Sequence, residues 1–140
     1  MATKADFTPE EWATMQRGVY GAGLLVSLAD RGFFDTFKEA SALAKHIKQA
    51  HESGSSLLVR DLAEIHRGSV KMSHNPLEVQ TETLAALESA VGTLQQKAPD
   101  ELPAYRAFVL DVARSVADAA KGVGASETDA LSKIEAALGT

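Results

Sequence analysis

The chain has 140 residues, 45% of them apolar and 24% charged, with a formal net charge of −5 and no cysteine. That length and balance suit one globular domain over residues 1–140, with a core large enough to need no covalent staples, and they argue against long disorder. The lack of cysteine excludes disulfides, thiolate metal sites and cysteine nucleophiles.

Residues 1–6 contain no apolar core of a signal peptide and carry an acid, so export is not expected and the expected location is the cytoplasm, in a bacterium. Phe7-Thr8-Pro9-Glu10-Glu11-Trp12 then states a helix start in full. Thr8 can cap the first free N–H groups, Pro9 suits the first helical position, and Glu11 completes a capping box. Phe7 and Trp12 occupy the two positions of a hydrophobic staple, which would bury much of the single tryptophan. Met15, Val19, Ala22, Val26 and Ala29 continue the stripe at spacings of three and four, and Leu24, Leu25 and Leu28 widen it.

A helix apolar on most sides is either a membrane span or the centre of a bundle. The nearly uncharged stretch 19–29 falls well short of the roughly 20 apolar residues a span needs, so this is the expected central helix and no membrane span is expected. Gly18, Gly21 and Gly23 cost about 1 kcal/mol each against alanine in a helix interior, which implies close approach of another backbone. Packing within the chain is the plain explanation. A helix–helix dimer seam through Gly18 and Ala22, or a ligand tunnel, is the sharper one.

The first helix should stop at Asp30-Arg31-Gly32. A second carries Phe33, Phe37, Ala40, Ala44 and Ile47 and breaks at His51-Glu52-Ser53-Gly54. A short third is capped by Ser55 or Ser56, turns Leu58, Leu62 and Ile65 inward and ends at Arg67-Gly68. Asn75-Pro76-Leu77-Glu78 opens a fourth, which runs to about Lys97 with Leu84, Leu87, Val91 and Leu94 inward. Pro99 ends it, and Asp100 and Glu101 open a fifth whose Leu102, Tyr105, Val109, Val112, Val116 and Ala119 form one stripe. Asp111, Arg114, Asp118 and Lys121 lie opposite. After the Gly122-Val123-Gly124 turn, a last helix is capped by Ser126 and buries Leu131, Ile134 and Leu138. No stretch alternates with period two, so the predicted fold is all-α, an antiparallel bundle of five or six helices.

Nucleic acid is a poor partner for this charge distribution. Residues 72–140 hold 10 acids against 5 bases, and the best basic cluster, Lys38, Lys45 and Lys48, is opposed by Asp35 and Glu39 on the same helix. His46, His51, His66 and His74 contain no pair at the spacing of three or four that a helical metal site needs. Asp35/Glu39 and Glu78/Glu82 fall in or near first turns, where the helix dipole explains them. Asp30 stands out among the acids, following the most apolar helix directly, next to Gly32, Phe33 and Phe34. A cap or a salt bridge to Arg31 is its plainest role. Gly18, Gly21, Gly23 and Gly122-Val123-Gly124 follow no strand and form no phosphate loop.

Phe7-Thr8-Pro9-Glu10-Glu11-Trp12, Ala29-Asp30, Asn75-Pro76-Leu77, Lys97-Ala98-Pro99 and the stretch from Ser126-Glu127 to Leu138-Gly139 together resemble a family of small bacterial all-helical proteins of unknown function. An Ala-Asp pair, a glycine and a helix with an early acid, recurring around Asp30 and Asp118, is similar to the doubled acidic motif of tellurite-resistance TerB-like domains, which implies metal binding through such acids. Arg31 replaces the glycine after Asp30 and the glycine after Asp118 is delayed to Gly122, so the resemblance carries over no ligands.

The expected function is a non-enzymatic interaction or scaffold module, with no cofactor, whose partner is a second copy of the chain or another protein. One alternative is a small apolar ligand held in a cavity between helices, with Trp12, Tyr20, Phe33, Phe34 and Phe37 around it. The other is a TerB-like metal-binding protein with Asp30 in an acidic loop.

Overall fold

The computed structural model describes residues 4–29, 45, 47–49, 57–63, 76–119 and 125–139. After a single 3-10 turn, Lys4–Asp6, come α1 (Pro9–Ala29), α2 (Leu57–Leu62), α3 (Pro76–Lys97), α4 (Leu102–Ala119) and α5 (Ala125–Leu138), with a second 3-10 turn, Pro99–Glu101, between α3 and α4. Residues 45 and 47–49 are helical as well, within the segment read as a second helix, and Ile47 packs half-buried against the core. The described residues contain no strand, and the protein is an all-α bundle.

α1 starts as its sequence dictates. The Thr8 N–H donates to Glu11 Oε1 at 2.8 Å and the Glu11 N–H donates to Thr8 Oγ1 at 3.1 Å, the reciprocal pair of a capping box. Phe7 and Trp12 form the staple, their ring centroids 6.0 Å apart and both buried. Thr8→Ala is expected to lower stability by about 0.5–2 kcal/mol through loss of the hydroxyl cap. An unchanged denaturation midpoint would sink that assignment.

α1 is the centre of the bundle: it touches each of α2 to α5, α3 and α4 most extensively. Trp12, Met15, Val19, Ala22 and Val26 are all buried, as are Gly18, Gly21 and Gly23. Around it α3 contributes Val79, Leu87, Ala90, Val91 and Leu94, α4 contributes Tyr105, Phe108, Val109, Val112, Ala113 and Val116, and α5 contributes Ala130, Ile134 and Leu138. Among the described residues no helix is long and apolar enough to cross a membrane.

Two long-range bonds fix the directions. Lys97 at the end of α3 pairs with Glu11 at the start of α1, so these helices run in opposite directions. Arg106 near the start of α4 donates through Nε to the carbonyl of Leu138, the last residue of α5, at 2.7 Å, so these two are opposed as well. Gly139, with φ of +76°, takes the left-handed conformation that lets α5 end there, and its N–H donates to the Ala136 carbonyl at 3.1 Å.

Two helix starts and the burial of two leucines differ from the sequence reading. α5 begins at Ala125, which puts Ser126 inside the first turn instead of at the cap; Asp129, three residues after it, pairs with Lys133 at 3.0 Å. The residues from Pro99 to Glu101 form a 3-10 turn, with the α-helical bonds starting only at Leu102. Leu84 and Leu131 are half-buried, because each stripe is flanked by a second row, Thr83 and Ala90 on α3 and Ala130 on α5, that points more squarely inward.

Candidate functional site

The residues proposed for interaction or ligand binding fall into two groups. Asp30, Phe33, Phe34 and Phe37 lie outside the described residues. Trp12, Gly18, Tyr20 and Ala22 lie along α1, but the structure does not gather them. Trp12 is taken up by Phe7 at the start of the helix, and eight residues separate it from Tyr20, about 12 Å along the axis. Tyr20 is half-buried against the core and Ala22 is fully buried.

Gly18 is the junction of three helices. A Cβ placed on it would meet the Tyr105 hydroxyl of α4 at 2.6 Å and Leu87 Cδ2 of α3 at 2.9 Å. The small-residue surface of α1 is therefore filled at Gly18 by side chains of the same chain. Into the space the glycine leaves, Tyr105 directs its hydroxyl, which donates to the Met15 carbonyl at 2.8 Å. Tyr105 is fully buried, and burial holds its phenol well above the ordinary tyrosine range, so the group stays a donor. Sequence reasoning placed Tyr105 on the core stripe of its helix; its polar role depends on which α1 carbonyl it meets.

Gln16, also buried, donates through Nε2 to the Leu62 carbonyl at 3.2 Å and thereby satisfies the end of α2. Thr83, fully buried on α3, carries a hydroxyl with no hydrogen-bond partner among the described residues. Nothing in the pattern around Thr83 marked it, since threonine is common at half-exposed helix positions. Thr83→Val is expected to raise stability by about 1 kcal/mol or more, because the orphaned hydroxyl is removed at constant shape. A loss of stability in thermal denaturation would show that the hydroxyl is satisfied in solution.

At the start of α1, Lys97 binds the Glu11 carboxylate and the Asp6 carbonyl, the latter at 3.5 Å, and its ammonium lies 5.8 Å from the centre of the Phe7 ring. The Lys97 hydrogen bond, helped by the Thr8 backbone N–H, holds the Glu11 carboxyl below the ordinary value of 4.5. A lowered carboxylate contributes stability that is present above the unfolded-state value and lost as pH falls through the folded one. Stability is therefore expected to decline below about pH 4.5, and Glu11→Gln to remove that component from a pH series of denaturation midpoints.

Among the described residues no three histidine or acidic side chains come together as a metal cluster. Glu78 stands four residues after His74, a helical spacing, but His74 lies outside the described residues. Glu78, Glu82, Lys45 and Lys48 are all exposed, as is Leu77 at the start of α3, an apolar side chain of the kind ordinary surfaces carry. Compared with known proteins, the chain matches no protein-family model, no curated protein and no solved structure.

Proposed function

We propose that this chain is a non-enzymatic interaction or scaffold module of a bacterial cytoplasm, which self-associates or docks a protein partner. The observation that supports the reading is how the polar side chains inside the bundle are used. Tyr105 and Gln16 each donate to a main-chain carbonyl of another helix, and Arg106 does the same at the end of α5. Such bonds fix the register of helices, and a fixed helical frame suits the presentation of a surface. The partner surface is to be sought away from Gly18 and Ala22, both covered within the chain.

Size-exclusion chromatography with light scattering over a range of concentrations tests the self-associating form, which predicts a mass that is a multiple of 14.8 kDa. A constant monomer overturns it. The Thr83 hydroxyl, without a hydrogen-bond partner among the described residues, favours a second reading, an apolar ligand held between helices with one polar contact. Native mass spectrometry of gently purified protein distinguishes it: a retained small molecule on a monomer supports the ligand reading, and a bare oligomer supports the scaffold.

A further inference from the structure

The segment ahead of α1 is held to the bundle in an unusual way. Phe7 is buried against Trp12, while Ala5, Asp6 and Thr8 around it are exposed. Lys97 reaches the Asp6 carbonyl, the Glu11 carboxylate and the Phe7 ring face together, from the last turn of α3. These polar holds are open to solvent. The centre of the bundle is different: Met15, Val19, Leu87 and Tyr105 are fully buried and owe nothing to Lys97. Ordering a short segment costs chain entropy, which the burial of one ring offsets in part, so a charged contact can set the balance between closed and lifted.

We propose that residues 4–8 form a charge-latched strap over Trp12, kept closed where Lys97, paired with Glu11, holds the Asp6 carbonyl and Glu11 holds the Thr8 N–H, and able to lift, exposing Phe7 and Trp12, while the helices stay packed. This inference stands apart from the scaffold reading and does not rest on it.

Trp12 is the single tryptophan, so its emission reports the strap directly. The test combines that emission with amide exchange followed by NMR at Thr8 and, as an internal reference, over residues 87–94. Glu11→Gln keeps an oxygen able to accept the Thr8 N–H and removes only the charge. Lys97→Met removes the other charge, and Lys97→Arg retains it. Glu11→Gln and Lys97→Met are each expected to speed Thr8 exchange about two- to fivefold, the range an exposed ion pair commands, and to shift Trp12 emission to longer wavelength. Exchange at residues 87–94 should stay as in the parent protein, and Lys97→Arg should behave like the parent. Parent-like exchange in both neutral variants overturns the latch. Equal acceleration at Thr8 and at residues 87–94 overturns the strap, because the segment would then open only with the whole bundle.

Discussion

Tyr105→Ala is expected to lower stability by about 3–5 kcal/mol, the cost of deleting a fully buried ring whose surroundings relax only in part. Tyr105→Phe divides that loss. It keeps the ring and removes the bond to Met15, and should cost about 0.5–1.5 kcal/mol. The Met15 carbonyl lies inside α1, where a regular helix already gives it the Val19 N–H, so it is not orphaned. The sign of the pH dependence follows from burial. The unfolded chain releases the phenol proton near pH 10 and the folded chain holds it, so this group's contribution falls by up to about 1.4 kcal/mol per pH unit above that point. Denaturation of the parent protein and Tyr105→Phe at pH 8 to 11 checks this. The two should diverge above about pH 10, the parent losing more. Parallel curves would mean that the hydroxyl reaches solvent.

Gly18→Ala is expected to destabilise by about 1–3 kcal/mol through overpacking, although alanine is the better helix former by nearly 1 kcal/mol. Packing wins because of what the new methyl meets. The Tyr105 hydroxyl, at 2.6 Å, ends a rigid buried ring and is bonded to Met15; it can retreat only by giving up that bond. Leu87, at 2.9 Å, is more flexible but is itself fully buried. In a Tyr105→Phe background the nearest atom is gone, so the second substitution should cost less, with a coupling of about 0.5–3 kcal/mol in the double-mutant cycle. Strictly additive losses would show that Gly18 and Tyr105 do not meet.

Local and periodic features of the bundle could be read from the sequence. Thr8, Pro9 and Glu11 announce a helix start because capping is settled within four residues, and Phe7 and Trp12 announce the staple for the same reason. The stripes of α1, α3 and α4 reveal the buried faces because helical spacing projects onto one side whatever lies opposite. Less legible were the starts of α4 and α5, where a turn of 3-10 geometry and a two-residue shift changed the expected start.

Tertiary structure alone decided the partners. Tyr105 with Met15, Lys97 with Glu11, Gln16 with Leu62 and Arg106 with Leu138 join residues 32 to 90 positions apart. A stripe says which face of a helix is inward, but leaves open how far each helix slides along its neighbour and which neighbour it meets. That register determines that the gap at Gly18 receives a tyrosine hydroxyl from the same chain, and that the Thr83 hydroxyl, one turn before Leu87, meets no partner among the described residues. A shift of one helical turn, about 5.4 Å, would leave every stripe intact and change each of these contacts.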